Sequence, residues 1–293
     1  MWTLLAALSA LLLGLYDVAK KKALQENGVL TVLLVATGLS TLFLLPFFRL
    51  GPSGDYLKLA FKAVLVTVSW ISGMVGLKML PLTTVSTIKG SRPVFVVLLS
   101  IILFGERLNW MQWAGILLAL AALWLLGRTS SGDGTVKARR TGFIFMAVSV
   151  ATGVASALYD KYIIQGMEPL FVQCWTNLFI TVILAVCVGV KVLVSGRSAS
   201  GNRLRPRNRV ATSFRWDWTL LLVAVLITGA DMLYFFALKQ PDALLSVVSV
   251  IRRASVLVTF VVGAILFHEK RVRDKALNML LMAAGIVLLL IGS

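Results

Sequence analysis

The sequence predicts an all-α membrane protein of ten transmembrane helices, arranged as two inverted five-helix repeats. Three observations carry this expectation. Hydrophobic residues fill 59% of the 293 positions and charged residues only 14%, against about 25% charge in an ordinary soluble domain. Ten apolar runs approach the length of about 20 residues that a bilayer requires. Short motifs also recur in the same order in the two halves of the chain.

The runs cover 2–19, 29–48, 57–77, 83–104, 110–127, 142–160, 169–194, 218–238, 243–267 and 275–292. Lipid offers no partner to open backbone groups, so each run is expected to be a helix. Span 1 begins without a charged leader and shows no small-residue cleavage site, so it reads as a retained span rather than a signal peptide. It closes on Leu15-Tyr16-Asp17. Span 2 stops before the breaker Gly51-Pro52-Ser53-Gly54. Span 3 runs into Leu77-Lys78. Span 4 contains Ser86-Thr87-Ile88-Lys89 and closes on Phe104-Gly105-Glu106-Arg107. Span 5 contains Ala114-Gly115-Ile116 and precedes the breaker Ser130-Ser131-Gly132-Asp133-Gly134.

The same landmarks return in the second half. Span 6 closes on Leu158-Tyr159-Asp160. Span 7 holds both cysteines, Cys174 and Cys187, read as small buried hydrophobes rather than a disulfide or metal pair. A polar tract, Ser195 to Arg215, follows. Span 8 runs into Leu238-Lys239. Span 9 contains Ser249-Val250-Ile251-Arg252 and closes on Phe267-His268-Glu269-Lys270, and span 10 contains Ala284-Gly285-Ile286. The chain therefore divides into a first repeat at 1–128, a loop at 129–141 and a second repeat at 142–293. An odd number of spans per repeat forces the second to insert upside down. In transporters built this way the substrate site lies at the repeat interface.

Ten spans, two five-span repeats and the Gly-Glu-like turn closing span 4 resemble the drug/metabolite transporter superfamily, specifically its EamA-type members. The resemblance runs over nearly the whole chain and implies a transporter rather than an enzyme. It implies nothing about the substrate.

Charge sets the expected orientation. The net charge is +17, but the basic residues lie mostly in short loops, which argues for membrane topology and against nucleic acid. Nineteen Lys and Arg fall on one side and six on the other, the six being Arg49, Lys58, Lys62, Arg107, Lys161 and Lys239. The rich side is expected to face the cytoplasm of a multi-pass inner-membrane protein. That places both termini outside the cytoplasm, although characterised members of the superfamily mostly keep both inside.

Four bases remain within spans: Lys89 and Arg92 in span 4, Arg252 and Arg253 in span 9. Each costs about 2.5–3.5 kcal/mol at a bilayer centre. They form a functional cationic site, pair with Asp17, Asp160 or Asp231, or snorkel to the interface, a reading that fits Arg92 best. Lys89 and Arg252 are repeat equivalents, each preceded three residues earlier by a serine, Ser86 and Ser249. A pseudo-two-fold axis would bring them to one central cavity. The pattern also resembles the plastid sugar-phosphate translocators, where a fourth-span Lys and a ninth-span Lys-Arg pair bind phosphate. The resemblance implies Lys89 for the first position and Arg252-Arg253 for the second. Guanidinium binds phosphate through two parallel hydrogen bonds.

The acids divide by position. Asp17 with Asp160, and Glu106 with Glu269, are equivalents near span ends or turns, where interfacial or capping roles are expected. Asp231 lies in mid-span, opposite Trp70 in the first repeat, and serves either as counter-ion or as proton carrier. Tyr16, Tyr159 and Tyr234 are candidates to line the cavity. The one histidine, His268, stands alone, and the sequence holds no Gly-rich phosphate loop, no Cys/His metal spacing and no nucleophile elbow. No cofactor, metal or catalytic residue is expected.

The leading function is a secondary transporter of a small organic anion, with phosphorylated solutes foremost. A flippase for an anionic lipid or lipid-linked phosphate is the alternative, for which the basic tract Arg197 to Arg215 would suit lipid headgroups. An amino-acid or drug exporter comes third.

Overall fold

The computed structural model describes residues 1–79, 88, 92–128, 136–200, 215–255, 258, 262 and 272–292, and these are helical or connecting, with no strand. Among the described residues ten α-helices follow in chain order: α1 (Trp2–Glu26), α2 (Val29–Leu44), α3 (Ser53–Met79), α4 (Arg92–Phe104), α5 (Trp110–Arg128), α6 (Val136–Gly166), α7 (Pro169–Ser200), α8 (Trp218–Lys239), α9 (Leu245–Arg253) and α10 (Val272–Ile291). Six of them, α1, α2, α3, α6, α7 and α8, carry stretches long and apolar enough to cross a membrane. The chain is a multi-pass membrane protein. Leu4, Leu8 and Leu11 form an exposed stripe along α1, tolerable when lipid rather than water covers it.

Several helices outrun their apolar segments. α1 continues through Lys20, Lys21 and Lys22, and α6 starts at Val136, before Lys137, Arg139 and Arg140. Lys and Arg are good helix formers, so the helix ignores the boundary that hydropathy draws. α8 starts at a defined cap: the Asp217 carboxylate accepts hydrogen bonds from Thr219 N at 3.2 Å and Thr219 Oγ1 at 2.6 Å. These bonds hold the Asp217 carboxyl below its ordinary range.

The helices pair across the halves. α3 packs along α6, and α1 along α8; α2 meets α7, α4 meets α9, and α5 meets α10. Exchanging each helix for the one five places along the chain leaves these partners unchanged. Hydrogen bonds repeat the pattern. Ser149 Oγ donates to Ser69 O at 2.7 Å between α6 and α3, and Ser9 Oγ to Ala230 O at 2.6 Å between α1 and α8. The recurring Ala-Gly-Ile motifs meet face to face. A Cβ on Gly115 would sit 2.7 Å from Gly285 O, and one on Gly285 would sit 2.8 Å from Gly115 O. Only glycine permits that approach of α5 to α10.

The turn after α4 reaches into the other half. Gly105 adopts φ 63°, in the left-handed region that glycine occupies freely. Glu106 follows and is buried. Its carboxylate accepts from Leu245 N at 2.6 Å, Ser246 N at 3.1 Å and Ser246 Oγ at 2.5 Å. An acid thus satisfies the open N–H groups at the start of α9, where the helix dipole favours negative charge. The expected capping role of Glu106 is what the geometry displays. Glu269 lies outside the described residues.

Candidate functional site: a cationic cavity

The shared interior of α1, α3, α4, α6, α7, α8 and α9 encloses a cavity of about 340 Å³. Helical spacing turns one face of each helix towards it. Lys62, Val66 and Ser69 come from α3, Gly153, Ala157 and Asp160 from α6, and Gln173, Asn177 and Ile180 from α7. Arg92, Asp160, Asp231, Tyr234, Ser249, Arg252 and Arg253 all line it, as does Tyr16. Eight of the residues singled out in the sequence therefore share one space. Ser86 and Lys89 lie outside the described residues. Asp17 does not line the cavity, although its charge acts on both Lys20 and Arg253.

Two of the bases are paired. Arg252 Nη2 lies 2.7 Å from Asp231 Oδ1, and its guanidinium sits 4.1 Å from the centre of the Tyr234 ring. Lys62 Nζ lies 3.0 Å from Asp160 Oδ1 and 3.9 Å from the centre of the Phe235 ring. Tyr234 joins the pairs, donating its hydroxyl to Asp160 Oδ2 at 3.3 Å. The result is a continuous polar chain from α3 through α6 and α8 to α9. Aromatic faces supply part of the solvation that the cations have given up.

The other bases have no carboxylate within ion-pairing distance among the described residues. Arg92 donates Nη2 to the carbonyl of Gly153, and Gly153 has no side chain because one is excluded: a Cβ there would lie 2.6 Å from Arg92 Cζ. The Arg253 side chain makes no hydrogen bond or ion pair with another described residue. Lys20 rests 5.2 Å from the centre of the Tyr16 ring. Among the described residues five bases, Lys20, Lys62, Arg92, Arg252 and Arg253, thus face two carboxylates, Asp160 and Asp231, an excess of three positive charges in that part of the lining. Such an excess in a low-dielectric space is electrostatically complementary to negative charge.

Three lysines counted among the loops belong elsewhere. Lys62 is a buried member of the cavity, 2% exposed, because α3 begins at Ser53 rather than at residue 57. Nine residues of helix carry it about 14 Å inward. Lys20 lines the cavity because α1 runs on to Glu26. Lys161 is buried and donates to the Ala243 carbonyl. Reassigning one base from the rich side and two from the lean side leaves the charge asymmetry in place. A polar face on α7, Gln173, Thr176 and Asn177, also lines the cavity; its spacing of three and four residues was the available signal.

Comparison with known proteins places this architecture. Residues 1–128 match the EamA-like transporter family, a family of membrane transporters. That match agrees with the resemblance to the drug/metabolite transporter superfamily read from the sequence. A crystal structure described only as that of a protein superposes at a TM-score of 0.73 and 16% identity, covering 100% of this chain and 99% of that one. At that identity the likeness establishes the fold. No curated protein matches the chain. The likeness to sugar-phosphate translocators finds no support in these matches.

Proposed function

We propose that this chain is a secondary transporter of a small organic anion, phosphorylated solutes foremost, working by alternating access around the central cavity. The observation that carries the reading is the pair of guanidiniums, Arg92 and Arg253, that face this cavity without a carboxylate within ion-pairing distance among the described residues. Buried charges are ordinarily paired, and a substrate anion supplies the missing partner. The exchange symmetry of the helix contacts and the Gly115–Gly285 meeting support two inverted five-helix repeats across ten spans. Rocking one repeat against the other would open the cavity to each side in turn. The volume of about 340 Å³ lies at the low end of ligand sites. It suits a metabolite better than a lipid, though a flippase drawing in only a headgroup would use the same bases. The surviving Lys/Arg asymmetry supports an inner-membrane protein with both termini outside the cytoplasm. The chain needs no catalytic step in this reading.

Proteoliposomes decide the matter. Uptake of radiolabelled glycerol 3-phosphate is measured beside transbilayer movement of a fluorescent phosphatidylglycerol. Wild type is expected to take up the soluble phosphate, and Arg92→Gln and Arg253→Gln to lose more than about tenfold, since a charge-assisted hydrogen bond contributes about 1.5–3 kcal/mol. Lipid movement without phosphate uptake would favour the flippase. Uptake of neutral or cationic solutes alone would overturn the anion reading.

A further inference from the structure

Helix α7 breaks the pairing of the cavity wall. α1 and α6 both contribute, as do α3 with α8 and α4 with α9, but α7 lines the cavity and its counterpart α2 does not. The face that α7 presents is polar. Gln173, Thr176 and Asn177 are 2%, 5% and 9% exposed. Asn177 is partly satisfied, donating Nδ2 to Ser40 Oγ at 2.7 Å. Gln173 Nε2 and Thr176 Oγ1 have no hydrogen-bond partner among the described residues. Buried polar atoms are nearly always partnered, and a helix in an apolar bundle would carry leucine and valine here more stably. Two orphaned groups on one helix face, on residues that both line the cavity, mark a place where something else could supply the partner.

We propose that Gln173 and Thr176 form a second subsite, which reads hydroxyl or carbonyl oxygens on the carbon skeleton of the transported anion. This rests on the anion reading above and narrows it. The bases on α4 and α9 hold the anionic group, and α7 holds the oxygenated body. The amide nitrogen donates to a substrate oxygen, and the threonine hydroxyl donates or accepts as the substrate requires. An anion with a bare hydrocarbon body strands both groups, and a site built to hydrogen-bond an oxygen discriminates strongly against the analogue that lacks it. The acyl chain of a lipid gains nothing from this wall.

The test compares two probes of equal charge, glycerol 3-phosphate and n-propyl phosphate, which differ by two hydroxyl groups. Affinities come from calorimetry on the full chain in detergent at one pH. Wild type is expected to prefer glycerol 3-phosphate by about tenfold or more. Gln173→Leu and Thr176→Val, each close in volume to the native residue, are expected to bring the ratio towards one. Equal binding of both probes by wild type overturns the subsite and leaves the anion reading standing. An undiminished ratio in both variants, with higher melting temperatures, also overturns it, because the polar face is then only an unsatisfied scar. Binding of neither probe overturns the anion reading and the subsite together.

Discussion

Removing one member of the Lys62–Asp160 pair tests the electrostatic core of the cavity. The two atoms stand 3.0 Å apart with side chains 3% and 9% exposed. At an effective dielectric of about 20 the attraction is roughly 5 kcal/mol, set against a desolvation cost of several kcal/mol for each ion. The net value of such a pair is small, but breaking it is expensive: about 3–5 kcal/mol, because the survivor stays buried without its counter-charge. Asp160→Asn leaves Lys62 beside the Phe235 ring, 3.9 Å away, without its paired carboxylate, and is expected at the lower end, about 3 kcal/mol. Lys62→Met leaves Asp160 with the Tyr234 hydroxyl at 3.3 Å and is expected to cost as much or more. The double variant removes both charges and should cost markedly less than the sum, with a coupling of about 2 kcal/mol or more. Reversible unfolding in mixed dodecyl sulfate micelles measures all three against wild type. Melting shifts should run in parallel, on the order of 5–10 °C for the single variants. Single costs that add to the double within about 0.5 kcal/mol would refute the reasoning, because the charges would then not depend on each other.

Glu106→Gln weakens three hydrogen bonds to the start of α9 and is expected to lower stability by about 2–3 kcal/mol. It should also weaken anion binding, since α9 carries Ser249, Arg252 and Arg253; calorimetry with glycerol 3-phosphate reports the second effect. Gly153→Ala places a methyl group 2.6 Å from Arg92 Cζ and is expected to reduce anion affinity about tenfold by displacing the guanidinium, and normal affinity in a folded variant would remove Arg92 from the site. A reporter active only in the cytoplasm, fused after Ser293, should stay silent, and strong activity would reverse the proposed orientation.

The six long spans, α1 to α3 and α6 to α8, were legible because lipid demands long apolar runs, and the recurring Ala-Gly-Ile motifs lie on two helices that meet at Gly115 and Gly285. Arg92, Arg252, Arg253 and Asp231 stood out because charge in mid-span is costly. Lys62 and Lys20 did not, for a physical reason: near the end of an apolar run a lysine looks the same whether the helix stops or continues. Only the start of α3 at Ser53 and the end of α1 at Glu26 move them inward. Counter-ion choice was hidden as well. Three acids were available, and which base meets Asp160 depends on the packing of α3 against α6, which composition does not encode. Gln173 and Thr176 carry no charge, so hydropathy passed over them, although their spacing set them on one face.

The cross-pairing of helices bears on how the protein is made. α1 finds its long contact only when α8 emerges, some two hundred residues later, and α3 waits for α6. Lys62 enters the membrane before Asp160 has been synthesised, and Glu106 before the α9 backbone that it holds. The newly inserted N-terminal segment therefore presents an unmatched cation and uncovered serine faces to lipid. It is the kind of partly assembled species that chaperones and membrane proteases recognise. The segment 1–128, although it matches the family model by itself, is part of an interlocked body, and expressed alone it should be degraded unless the rest of the chain is supplied beside it.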